Sequence, residues 1–153
     1  MTRSSPAPSP GPGGPSPVYA HGMAITYEWR GDFDGAAVNA LHAEGFDHPY
    51  QDIDWVTQVH RHSLGWVCAR LNGELVGFVN VAWDGGVHAF ILDTVVSVGQ
   101  QRSGIGAELV AVAAREARAA KCDWLHVDFE DGLRAFYFDT CGFTPTDAGL
   151  IAL

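Results

Sequence analysis

GWVCARLNGELVGFVNVAWDGGVHAFILDTVVSV, residues 65–98, is rich in β-branched and aromatic side chains and is interrupted at Asn72-Gly73 and Asp84-Gly85-Gly86. Both interruptions are hairpin signals, because Asn, Asp and Gly accept the positive φ that tight turns between strands demand. The stretch therefore predicts three successive antiparallel strands, near 65–71, 74–83 and 87–98. Such a meander is not the parallel βαβ start of a Rossmann sheet.

Working outward, AITYEWR (24–30) alternates apolar and polar residues as a half-buried strand does. Asp34 is placed to cap a helix through Ala37, Leu41 and Glu44, and Ile53, Val56, Val59 and His60 predict a second helix over 51–63. Downstream, Ile105, Leu109, Val112, Ala113 and Ala117 form one apolar stripe, with Glu108, Arg115, Glu116 and Arg118 turned away. A strand is expected at 123–129, a short helix at 133–141, and a turn with a closing strand after it. The expected fold class is α/β, with a central mixed, mostly antiparallel sheet flanked by helices.

The composition bounds the function. A chain of 153 residues that is 47% hydrophobic has material for one well-filled core. Eighteen acidic against nine basic residues give a formal net charge of -9, which argues against a nucleic-acid footprint and favours a cationic or amine-bearing partner. Residues 4–17, SSPAPSPGPGGPSP, cannot bury enough apolar surface to offset their ordering entropy, so residues 1–22 are read as a disordered tail and 23–153 as the domain. No signal-peptide core or membrane-spanning run is visible. Cys68, Cys122 and Cys141, odd in number and without CxxC spacing, read as reduced thiols of a cytoplasmic protein. Seven histidines without HxH or HExxH spacing predict no metal site.

The junction after the meander reads SVGQQRSGIGAEL, residues 97–109, with Gly104 and Gly106 between a strand and a helix. Amides at a helix start have no internal partner and carry the positive end of the helix dipole, and glycine lets an anion reach them. A P-loop would need a Lys that is absent here, and GxGxxG would need glycine where Leu109 stands. A tight strand-to-helix turn is the remaining structural explanation for the two glycines.

The complete pattern Gln101-Arg102-Ser103-Gly104-Ile105-Gly106 resembles the Q/R-x-x-G-x-G/A motif of the GNAT acetyltransferase superfamily. Val96-Ser97-Val98 resembles the strand leading into that motif, and residues 135–143, AFYFDTCGF, resemble the family's helix ending in GF. The resemblance spans about residues 24–150. It implies acetyl-CoA as co-substrate, with its pyrophosphate on the loop of Gln101, Arg102, Ser103, Gly104, Ile105 and Gly106. It also implies pairing of the pantetheine arm with backbone groups of Val96 and Val98, and a splay between the strands at 87–98 and 123–129 that admits the arm. Homodimers are common in such a family.

Acetyl transfer needs a neutral amine, a stabilised oxyanion and a proton for the departing thiolate. The resemblance implies a Tyr acid four residues before the Gly of GF. That position is Phe138, while Tyr137 falls one residue early and shares an apolar stripe with Leu133 and Phe136. A core role for Tyr137 is the preferred reading, with water or another polar group reprotonating the thiolate; Tyr137 serves as acid only if the helix is rotated. Asp93, a lone carboxylate in FILDTVV, is the candidate base or ammonium-binding group. His126 and Asp128 share one face of their strand, and strict alternation puts His88 on the face opposite Asp93. Trp55, Trp66 and Trp83 read as core or pocket wall, and His60 and His62 as a solvated helix face. Three functions follow: N-acetylation of the primary amine of a small molecule, acetylation of protein N-termini or lysines, or a non-catalytic acyl-CoA-binding module.

Overall fold

The structure, a computed structural model, describes residues 18–20 and 23–153. Strands β1 (Val18–Ala20), β2 (Met23–Trp29), β3 (Ser63–Leu71), β4 (Glu74–Trp83), β5 (His88–Val96) and β6 (Trp124–His126) form one sheet in sequence order. Neighbours are antiparallel except β5 and β6, which are parallel. The mixed, mostly antiparallel sheet follows from the meander of 65–98. Both hairpin signals carry the expected backbone: φ is 51° at Asn72, 83° at Gly73 and 82° at Gly85.

Helices α1 (Gly35–Gly45) and α2 (Trp55–His62) cover one face, and α3 (Ile105–Ala119) covers the other. Asp34 caps α1, its carboxylate accepting from the Ala36 amide at 3.0 Å. The apolar stripe of α3 is buried as expected, with Val110 in addition. Each fully buried side chain such as Leu109 or Ile105 contributes roughly 1.5–3 kcal/mol over leaving it in water.

Four boundaries depart from the sequence reading. The helix expected over 51–63 begins at Trp55, because the Asp54 carboxylate caps the Thr57 amide at 3.1 Å; Trp55 is buried and Val56 exposed. The strand expected over 123–129 pairs only at Trp124–His126. The closing strand is absent: residues 143–153 form no strand, and Leu150 and Ile151 are exposed. Of the expected tail, residues 1–17 and 21–22 lie outside the described residues, whereas Val18–Ala20 pair with Met23–Ile25. Among the described residues, no helix is long and apolar enough to cross a membrane. All three cysteines are free thiols.

Asn39 is the residue that aligns α1 with the loop leading to α2. It is buried, donates Nδ2 to the Ile53 carbonyl at 2.9 Å, and accepts from the Trp55 indole at 2.8 Å and the Ile53 amide at 3.3 Å. Satisfying a buried amide on both sides fixes a loop that would otherwise wander.

Candidate active site

The glycine loop divides its two glycines between two tasks. Gly104 is the N-cap of α3 at φ 86°, and a Cβ there would meet no atom within 4 Å. Its α-carbon faces open space at a helix N-terminus, the cradle a bound anion needs. Gly106 faces inward, where a Cβ would lie 3.3 Å from Phe136 Cζ, so its absent side chain lets α3 pack on the C-terminal segment. Arg102, at φ 62°, and the hydrogen bond from Ser103 Oγ to the Gln100 carbonyl shape the turn before it. Ile105 is buried in the core under the loop.

Beside the loop, β5 and β6 part. Their pairing stops at Phe90 and His126, while β5 runs on to Val96. The splay between these strands is therefore present. The two backbone groups flanking it are engaged within the chain: the Val96 carbonyl accepts from Gln101 Nε2 at 3.3 Å, and the Val98 amide donates to Glu44 Oε1 at 3.1 Å.

Opposite the splay, β5 bulges. Phe78 pairs with Val95 and Asn80 with Leu92, so two residues of β5, Asp93 and Thr94, stand against one of β4. Asp93 takes φ 57°, a left-handed conformation costly for a residue with a Cβ. The bulge interrupts the alternation of the strand. Ala89 and Ile91 pack on the α3 side, yet Val95 lies on the α1 side and Asp93 reaches α1. His88 and Asp93 consequently share a face, contrary to the strict alternation expected from sequence.

Asp93 does not stand alone. Its Oδ1 accepts from His42 Nε2 at 3.0 Å; His42 Nδ1 lies 2.7 Å from His48 Nε2; and His48 Nδ1 donates to the Pro49 carbonyl at 2.7 Å. The rings of Phe46 and Trp55 flank His42 at 4.4 and 5.3 Å. The chain runs from the bulge to the exposed turn at Pro49.

Tyr137 approaches Thr94, the second residue of the bulge, from the other side. Residues Ala135–Thr140 form a π-helix, with the Cys141 amide donating to the Phe136 carbonyl and the Phe143 amide to that of Tyr137. A π-turn spends five residues where an α-turn spends four. Counting back four from Gly142 assumes an α-helix; with the extra residue, Tyr137, five before Gly142, takes the azimuth assigned to Phe138. Tyr137 is buried and stacks on Phe129 at 4.6 Å, while Phe138 is half-buried and Leu133 exposed, so Leu133 is not on the buried stripe. Burial pushes the Tyr137 phenol above its usual value, partly offset by the Thr94 side chain that its hydroxyl faces. The Thr94 hydroxyl is buried and, among the described residues, closes no hydrogen bond of full geometry.

A glycine-opened helix start thus lies beside a strand that parts from its neighbour, and Asp93 and the Thr94 that Tyr137 faces form one bulge on that strand. A model of the acetyltransferase (GNAT) family fits residues 24–143. The chain belongs to this family. No curated protein sequence matches closely enough to count as a relative. Solved GNAT-type structures share the fold. A GNAT-family acetyltransferase of Streptococcus pneumoniae is 21% identical, with a TM-score of 0.69 over 84% of this chain and 97% of that one. An aminoglycoside acetyltransferase from an uncultured soil metagenomic sample is 15% identical, with a TM-score of 0.70 over 84% and 94%. Glucosamine-6-phosphate N-acetyltransferase from Arabidopsis thaliana is 12% identical, with a TM-score of 0.65 over 84% and 98%.

In this GNAT domain a cavity of about 620 Å³ opens between α2 and the β4–β5 hairpin, with Leu92 of the bulge region in its wall. Ile53, Ala82 and Leu92 supply apolar surface, and Asp54, Arg61 and Asn80 supply polar groups. Hydrogen bonds from Thr57 hold the Asp54 carboxyl below the usual range, so it is an anion at neutral pH. Asn80 is buried and accepts from Ser63 Oγ.

The sequence reading named Asp93, Tyr137 and the loop as candidates, with a core role preferred for Tyr137, and did not single out His42, His48 or Glu44, which the structure places beside them. His42 falls at the C-terminal turn of an amphipathic helix, and no spacing rule ties it to a strand fifty-one residues away. His126 pairs with His88 at 2.7 Å and stacks on Phe90. Asp128 is exposed beyond the end of β6. Trp83 is 40% exposed, not core, while Trp55 and Trp66 are buried. Among the described residues, no group of three or more His, Cys, Asp or Glu side chains is gathered to hold a metal ion.

Proposed function

We propose that this GNAT domain transfers the acetyl group of acetyl-CoA to the primary amine of a small molecule. The observation that carries the reading is that Asp93 and Thr94, the residue Tyr137 faces, are neighbours in one bulge just past the point where β6 leaves β5. The pyrophosphate rests on the amides at Gly104, and the pantetheine arm enters the splay along β5. For the arm to accept from the Val98 amide Glu44 must release it, whereas the Val96 carbonyl keeps a second lone pair beside its bond from Gln101.

In the chemical step the acceptor gives its ammonium proton to Asp93, and the neutral amine attacks the thioester carbonyl carbon. The carbon–sulfur bond breaks as the tetrahedral adduct collapses, and the thiolate takes the Tyr137 proton. The proton left on the new amide nitrogen goes to solvent, from which Tyr137 is recharged. Burial keeps Tyr137 protonated until the thiolate forms, at the expense of its strength as an acid.

Three features favour a small amine. A cavity of about 620 Å³ is of the size that takes compact ligands. The ionised Asp54 in its wall and the net charge of -9 both attract a cation. Two fold neighbours carry names with amine-bearing small acceptors. The test is turnover of acetyl-CoA, read as free thiol, against sisomicin, spermidine, glucosamine 6-phosphate and a panel of N-terminal and lysyl peptides. Acetylation of a small amine is expected. Turnover with peptides alone selects a protein acetyltransferase, and tight acetyl-CoA binding without any turnover selects a non-catalytic module.

A further inference from the structure

The cavity beside the bulge carries opposite charges at its two ends. Asp54 stands at the start of α2 and Arg61 in its last turn, and both line the cavity. At 1.5 Å per residue they lie about 10 Å apart along the helix axis. The Asp54 end adjoins the bulge: the next residue, Trp55, packs its indole against His42 at 5.3 Å, and His42 bonds Asp93. At the other end the chain passes from Arg61 through His62 into Ser63 of β3, whose hydroxyl donates to Asn80 Oδ1.

Two donors at that far end have no acceptor. Asn80 is 2% exposed and lines the cavity; its Nδ2 closes no hydrogen bond among the described residues. A buried amide ordinarily bonds on both sides, as Asn39 does here. Arg61 enters no ion pair among the described residues. It comes near enough to Asp54 to help, behind the Thr57 hydrogen bonds, to hold that carboxyl ionised without pairing with it. A guanidinium and an amide NH2 only donate, and a carboxylate only accepts, with one oxygen for each. A polyamine would instead set a cation against Arg61.

The spacing suits one compact molecule. Asn80 pairs with Leu92 across the sheet, and Asp93 follows Leu92 in the bulge. Paired residues sit about 5 Å apart and successive ones about 3.3 Å, so roughly 6 Å of backbone separates Asn80 from Asp93.

We propose that the acceptor is an amine that also bears a carboxylate, and that Arg61 and Asn80 Nδ2 hold this carboxylate while the amine points to Asp93. The inference rests on the acetyltransferase reading and adds a substrate class to it: amino acids and related amino carboxylic acids, in place of polyamines and purely cationic sugars. One carboxylate and one guanidinium carry the permanent charge of the described lining, so the wall is dipolar. A zwitterion laid along it meets an opposite charge at each end.

Matched acceptors test the class. The protein amino acids, and the ω-amino acids from β-alanine to 6-aminohexanoate, are each compared as acid, carboxamide and decarboxylated amine, with turnover of acetyl-CoA read as free thiol. For the best acid, kcat/KM should exceed that of its amide and its amine roughly tenfold or more, because only the acid gives both donors a charged acceptor. Arg61→Gln, at an exposed position, should remove most of that preference and leave KM for acetyl-CoA unchanged. Asn80→Asp keeps the side-chain shape and an acceptor for Ser63, and should turn the preference toward the decarboxylated amine. Binding is read separately, from the side-chain N–H NMR signals of Asn80 and Arg61 as the same acids and amides are added without acetyl-CoA. An acid and amide turned over alike, or an acid preference that survives Arg61→Gln, overturns the carboxylate subsite and leaves the acetyltransferase reading intact. An acid that moves both signals where its amide does not, with no probe turned over, keeps the subsite and overturns the acetyltransferase reading. Neither turnover nor a moved signal with any acid overturns the subsite.

Discussion

Gly45, the last residue of α1, abuts Val95 so closely that a Cβ on it would overlap Val95 Cγ2. Val95 is the residue just past the bulge, and its branched side chain has no long stem to swing aside. This contact sets how near α1 comes to β5, and with it the 3.0 Å between His42 and Asp93. Gly45→Ala should therefore cost about 1–3 kcal/mol by overpacking and separate that pair. Urea unfolding reads the stability and the histidine NMR pattern reads the pair; an alanine variant as stable as the parent would refute the tight fit.

Gly104 requires glycine for its backbone as well as for access. At φ 86° a side chain costs roughly 1–2 kcal/mol, and a β-branched one also covers the amides. Calorimetry on Gly104→Val should show acetyl-CoA affinity lowered at least tenfold. A folded variant with parental affinity would remove the pyrophosphate from this loop. Gly106→Ala is the internal comparison: its methyl meets Phe136, so stability falls before affinity does.

Tyr137→Phe removes one hydroxyl from a stacked, buried ring and should lower kcat about 10²-fold or more, as loss of a general acid does. The stability change should stay near the worth of one hydrogen bond, about 1 kcal/mol. A rate within tenfold of wild type would return the residue to the core and leave solvent to protonate the thiolate.

Asp93→Asn keeps the shape of the bulge while removing charge and basicity. It should lower kcat/KM for the amine at least 10²-fold with acetyl-CoA affinity preserved. Equal losses for both substrates would point instead to a collapsed bulge.

Alkaline stability follows from groups buried neutral. Burial pushes the Cys68 thiol from 9.0 to about 12, and burial followed by Glu108 pushes the Tyr27 phenol from 10.0 to about 12. The unfolded chain gives up these protons at the lower values, while the folded chain keeps them. Stability is therefore complete below about pH 9, falls as pH rises, and has lost this contribution above about pH 12. Unfolding by denaturant between pH 8 and 11 should show the slope, and Cys68→Ala with Tyr27→Phe should flatten it. A slope unchanged in the double variant would assign it to other groups.

The sheet was legible because its signals are local. Asn72-Gly73 and Asp84-Gly85-Gly86 declare their turns by chemistry alone, and the α3 stripe declares its buried face by period. Of the candidate site, the sequence marked the residues with local signals, the glycine at the start of α3 and the charge that breaks an apolar run at Asp93. The bulge was not, since FILDTVV carries no glycine to mark it and the extra residue becomes visible only against its partner, Asn80 to Leu92 and Phe78 to Val95. The π-turn escaped for the same reason: AFYFDT reads equally well at either helical period. His42 and His48 were hidden because they meet across a loop tethered by Asn39, a contact that no periodicity encodes.

The parallel seam between β5 and β6 has three rungs, His88 to Trp124, Ala89 to Leu125 and Phe90 to His126. Everything from β6 onward is joined to the rest of the domain by that short seam and by Leu125, Val127 and Phe143, which pack on the core of the α3 side. The domain thus joins a stiff plate to a compliant flap, and Tyr137 on the flap faces Thr94 of the plate just beyond the seam. Heat or denaturant should loosen the flap before the plate melts. The earliest amides to exchange with solvent would then be those of residues 124–126 and 135–141, and catalysis would fade at temperatures where the sheet is still whole.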